Sequence, residues 1–126
     1  MKKILCWLIL VLVSFYSLGQ DNPTYSKIDS LINTSEFGNA LLLIDRELGN
    51  IKVDEQIIWL KSKKAEVLIS QGNLTDAETL LNSINSLEKS PKLQGIVSTN
   101  IGYLYLNKGR NDLALQNLEE AQAKFQ

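Results

Sequence analysis

A fixed internal period constrains this chain more than any other feature. Ala40, Ala77 and Ala114 fall at an equal spacing of 37 residues, and the same offset links Leu31 to Leu68 to Tyr105. Four further columns keep that register: Ile28, Ala65 and Gly102; Ser35, Gly72 and Gly109; Phe37, Leu74 and Asn111; Ile44, Leu81 and Leu118. A period of about 20–50 residues marks arrays in which one supersecondary unit stacks on copies of itself. Three such units are expected, over about residues 22–50, 55–90 and 92–126.

Within a unit the apolar spacing is that of amphipathic helices. Ile57, Ile58, Leu60, Ala65, Leu68 and Ile69 form one stripe, and Leu74, Ala77, Leu80, Leu81, Ile84 and Leu87 a second. Between the stripes lie the polar turns Gln71-Gly72-Asn73 and Lys108-Gly109-Arg110, where glycine can take the left-handed conformation that ends a helix. Unit one carries Ser35 there, with Thr34 or Ser35 suited to cap the next helix. Pro23 and Pro91 stand where a helix begins, since the missing N–H costs nothing in a first turn. The small residues let two backbones approach while Leu68, Tyr105, Leu81 and Leu118 fill the space around them. Each hairpin keeps one apolar face open, so stacking with the next is required, and the expectation is an all-α solenoid of three helical hairpins and six helices.

Ile101-Gly102-x-x-Tyr105, then Gly109, Ala114, Leu118 and Ala121, make unit three resemble the tetratricopeptide repeat family. Unit two is similar through Ala65, Leu68, Gly72, Leu74, Ala77 and Leu81, while unit one has Ile28 where a small residue is usual and Glu47 where Ala is usual. The period exceeds the family's usual value of about 34, which points to longer turns around residues 49–54 and 87–92. The resemblance implies a right-handed solenoid whose concave groove, lined by the first helix of each pair, holds a peptide or a partner helix. Carried over by register, the groove positions are Tyr25, Asp29 and Ile32 in unit one, Trp59, Ser62, Glu66 and Ile69 in unit two, and Ile96, Thr99, Tyr103, Leu106 and Asn107 in unit three. No basic residue stands at these positions, so the clamp on a C-terminal carboxylate known from one subgroup is not implied. An aromatic and aliphatic lining with Asp29 and Glu66 matches a protein or peptide partner with apolar anchors and a basic residue.

Composition narrows the chemistry. The 126 residues include no His and a single Cys, which removes Ser-His-Asp, Cys-His and His-metal arrangements. A net charge of −1, with no basic stripe, argues against nucleic acid as a partner. Paired carboxylates at Asp45-Arg46-Glu47 and Glu119-Glu120 lack any accompanying phosphate loop or acid cluster and read as solvated helix faces, as do Lys61, Lys63 and Lys64. Asn73-Leu74-Thr75 matches the glycosylation pattern but reads as a turn and cap. No catalytic, metal or cofactor residue is assigned, and a noncatalytic role is expected.

Residues 1–19 have the form of a secretory signal. Lys2 and Lys3 precede the apolar run Ile4 to Val13, and Ser17-Leu18-Gly19 supplies a small-x-small cleavage site. Cleavage would leave 20–126 as the repeat domain of a periplasmic or secreted protein; retention as a membrane anchor is the alternative, at the short end for a hydrocarbon core of about 30 Å. Cys6 lies inside the apolar run, so cleavage would also remove the only thiol. At the other end, no polar capping helix follows Ala123-Lys124-Phe125-Gln126. Two expectations arise: the repeats are the recruitment or sensory region of a longer membrane-bound signalling or protease-like protein, or the uncapped last repeat self-associates.

Overall fold

The structure, a computed structural model, describes residues 22–126. The signal segment, its cleavage site and Cys6 lie outside the described residues. Six helices and no strand make up the described part, which establishes the all-α class. They are α1 (Pro23–Asn33), α2 (Phe37–Asn50), α3 (Asp54–Ser70), α4 (Leu74–Asn85), α5 (Pro91–Asn107) and α6 (Asn111–Phe125). None is long and apolar enough to cross a membrane.

By its contacts the chain divides into a unit ending at Glu36 and a second unit from Phe37 to Gln126. In the first, Asn22 caps α1 through its Oδ1, which accepts from the Thr24 N–H at 3.0 Å, and Pro23 follows in the first turn. Tyr25, Ile28 and Ile32 form its buried stripe. The Thr34 hydroxyl turns back to the Ser30 and Leu31 carbonyls at 3.0 and 3.3 Å, and Ser35 takes the left-handed conformation, φ +60°, and closes α1.

In the second unit each helix packs on the next in sequence, and α3 also packs along α5. The core that results runs through α3, α4 and α5, from Ile58, Ala65, Leu68 and Ile69 to Ala77, Leu81, Ile84, Leu93, Val97 and Leu104. Burying a large aliphatic side chain stabilises by about 1.5–3 kcal/mol, so this cluster is what holds the three helices together. The α5–α6 pair is fitted around Gly102: a Cβ there would stand 2.8 Å from Leu118 Cγ and 3.3 Å from the Ala114 carbonyl oxygen. Only glycine allows that approach. The Leu118 column, buried at Ile44 and Leu81, is partly open here, and Leu115 and Phe125 of α6 are exposed.

The period is visible in the backbone hydrogen bonds. Gly72 at φ +80° and Gly109 at φ +75° end α3 and α5 as Ser35 ends α1. In each turn the residue after the left-handed one donates to a carbonyl five residues back: Glu36 to Leu31, Asn73 to Leu68 and Arg110 to Tyr105, all at 2.8 Å. The left-handed residue itself donates three back, Ser35 to Ile32, Gly72 to Ile69 and Gly109 to Leu106, at 3.0, 2.9 and 3.1 Å. These are three copies of the Schellman closure.

Of the two connections between units, only the second, residues 86–90, is longer than the three-residue turns within units; residues 51–53 only equal them, a correction to the longer turn expected there. Lys89 organises the second, its Nζ donating to the carbonyls of Ile84, Asn85 and Leu87 at 3.1, 2.7 and 2.6 Å. A cation is favourable at a helix C-terminus, where carbonyls lack partners. Partial burial acts the other way and holds the Lys89 pKa below the ordinary lysine value. Ser90 then caps α5 by accepting from the Leu93 N–H at 3.4 Å, and Gln94 Nε2 donates to the Lys89 carbonyl at 3.0 Å.

Candidate functional site: a pocket between the third and fifth helices

The side-by-side packing of α3 and α5 leaves a pocket of about 310 Å³ lined by Glu66, Ile69 and Ser70 from α3 and Tyr103 and Asn107 from α5. Glu66 and Tyr103 are equivalent positions 37 residues apart, and so are Ser70 and Asn107. Equivalent faces of two successive first helices therefore meet in one depression. Four of its five lining residues, Glu66, Ile69, Tyr103 and Asn107, are among the groove positions that the family resemblance implied.

The lining has a clear division of labour. Ile69 is nearly buried and supplies apolar surface, while half of Tyr103 remains exposed. Glu66 is partly exposed, with Lys63 Nζ 3.5 Å from its Oε2 in a surface pair one helical turn apart. Asn107 Nδ2 donates to the Tyr103 carbonyl at 2.9 Å, and Ser70 Oγ donates to the Glu66 carbonyl at 3.0 Å. Leu106, in the column of Ile69, is exposed beside them.

The other expected groove residues are placed differently. Ser62 is fully buried, a correction to its expected place on a binding face. Its hydroxyl donates to the Ile58 carbonyl at 2.8 Å, and its own carbonyl accepts from Asn100 Nδ2 at 2.9 Å. The physical reason is that α3 and α5 approach each other on this stripe, which seals it from solvent. Thr99, in the same column as Ser62, is half-buried and donates from its hydroxyl to the Gly95 carbonyl at 2.8 Å. Trp59 and Ile96 pack against the core cluster, and Trp59 carries Lys63 Nζ 5.4 Å from its ring centroid. On α1, Tyr25 and Ile32 are buried and Asp29 is half-buried.

Two residues in this region were not anticipated. Ser70 could have been found from the register alone, because Asn107 had been placed on the groove. Asn100 carries a different signal: it interrupts an apolar stripe at Val97 and Leu104, where a polar side chain must find a buried partner. The partner it finds, the Ser62 carbonyl, ties α5 to α3 about one helical turn before Glu66 and Tyr103.

Other charged groups near the site are engaged. Lys108, the residue after Asn107, pairs with Glu78 of α4, and Lys64 donates to Asp45 of α2 at 2.7 Å. Among the described residues no three His, Cys, Asp or Glu side chains gather as a metal site requires. The pocket offers a polar rim and apolar contact. No family model matches the chain, and no curated protein or solved structure matches it.

Proposed function

We propose that this chain is a noncatalytic interaction module of the tetratricopeptide type, exported through its N-terminal signal. Its helical hairpins stack as a right-handed solenoid, and a peptide or partner helix lies along the face formed by successive first helices. One observation carries this reading: residues at equivalent positions of two repeats, Glu66 with Tyr103 and Ser70 with Asn107, line a common pocket. Such a surface is rigid before the partner arrives, which lowers the ordering cost of binding. Tyr103 and Leu106, each half-exposed, supply the apolar contact from which interface energy is drawn.

Panning a displayed random peptide library against the protein tests the reading. Enriched peptides should carry an apolar or aromatic anchor, and the double variant Tyr103→Ala, Leu106→Ala should bind them at least about tenfold more weakly, as expected for the loss of interface anchors. Neither side chain is in the core, so the helical content of the variant should be unchanged. Peptide binding indifferent to the double variant would remove the groove from consideration.

A further inference from the structure

The pocket has hydrogen-bond acceptors to offer and few donors. Asn107 commits its amide N–H to the Tyr103 carbonyl. A carbonyl can only accept, so Nδ2 is the atom turned to it, which leaves Oδ1 as an acceptor together with the second N–H. Ser70 has a single hydroxyl proton, and that proton goes to the Glu66 carbonyl, leaving the lone pairs of Oγ. Among the described residues, Glu66 is the only charged one in the lining. Its contact with Lys63 engages Oε2 alone, in a partly exposed pair of the kind that solvent weakens, and an ionised carboxylate has about four acceptor positions. Lys108, the other cation close in sequence, is held by Glu78. The site is thus a carboxylate, an amide oxygen and a hydroxyl oxygen around one aromatic ring and one aliphatic wall.

Resting on the groove reading above, we infer that this pocket takes an arginine side chain carried by the partner segment. A guanidinium brings five donors in a plane, which can serve three acceptors set in different directions, and that plane stacks on an aromatic face such as Tyr103. A lysine ammonium has three donors on a compact, strongly hydrated head and gains less from the ring. The methylene stem of the arginine lies against Ile69, which is why an apolar wall belongs in a site for a cation.

N-acetyl-arginine amide, titrated into the protein and followed by backbone amide shifts, tests the assignment. Saturating shifts are expected at Glu66, Ile69, Ser70, Tyr103 and Asn107, with dissociation in the millimolar range. The citrulline analogue, neutral but of the same shape, should bind about tenfold more weakly, the lysine analogue should fall between the two, and Glu66→Gln should reduce arginine binding to the citrulline level. Shifts that are absent, scattered over other helices, equal for citrulline, or equal for lysine would overturn the inference. Comparing the three ligands on the unaltered protein decides the matter even where Glu66→Gln perturbs folding. The library experiment separates the two levels: peptides lost with the Tyr103 and Leu106 variant but enriched without arginine would leave the groove standing and remove the arginine.

Discussion

Ser35 holds φ +60° in a turn where the other two repeats place glycine. A residue with a Cβ meets the following carbonyl oxygen in that conformation, at a cost of about 1–2 kcal/mol. Glycine removes the clash but adds freedom to the unfolded chain, an opposing effect of about 0.5–1 kcal/mol. Ser35→Gly should therefore stabilise the protein by about 0.5 kcal/mol, and Gly72→Ala should destabilise it by about the same amount, each read from the midpoint of urea unfolding. The sign is the critical part, since it is opposite at two positions that share one hydrogen-bond pattern. Gly72 has open space around its α-carbon, so any loss there reports backbone conformation and not crowding. At Gly102 the reverse holds: the backbone is helical, and the need for glycine comes from Leu118 and Ala114 pressed against it.

Among the elements, α4 depends for its ending on a residue outside it. Lys89 reaches back to three carbonyls around the end of α4, and the connection to α5 is arranged around that contact. Replacing Lys89 by Met keeps much of the stem and removes every donor. The variant should lose about 1 kcal/mol of stability, and amide exchange should accelerate at the end of α4 and the start of α5, measured by hydrogen exchange. Helix boundaries were largely legible in advance because proline, glycine and the apolar stripes mark them in residues met one after another. Asn22 and Ser90 as caps, and Lys89 as a closing group, were not legible. A cap depends on which of several adjacent polar side chains turns back, and Thr34, an equally good candidate, turned to Ser30 and Leu31 instead.

At the scale of the whole molecule, α3 and α5 are joined by a buried polar contact as well as by hydrophobic surface. Asn100→Ala removes the side-chain bond to the Ser62 carbonyl and leaves a small void. It should cost about 1–2 kcal/mol in global unfolding. Because this bond joins the two helices near their middles, the variant should also raise amide exchange in the middle of both α3 and α5. The all-α class followed from periodicity, which marks helices without any knowledge of packing, whereas Glu66 and Tyr103 entered as groove positions only through the family resemblance. Burial did not follow so simply. Ser62 and Glu66 lie one turn apart on the same face of α3, yet one is sealed and the other lines the pocket. The difference arises from where the two helices come together, and a one-dimensional pattern holds no record of that distance. Trp59 shows the same limit, since an aromatic ring at a groove position can equally well complete the core beneath it.

The three matched closures of α1, α3 and α5 also make this chain divisible. A cut between the left-handed residue and its successor in one turn presents the same two hydrogen-bonding ends as a cut at the same place in another. A block of 37 residues can thus be removed or duplicated between such cuts with both halves of every closure preserved, whereas a block one residue longer or shorter puts the wrong residue in the left-handed position. Recombination within its own coding sequence would therefore have in-register joints ready to use.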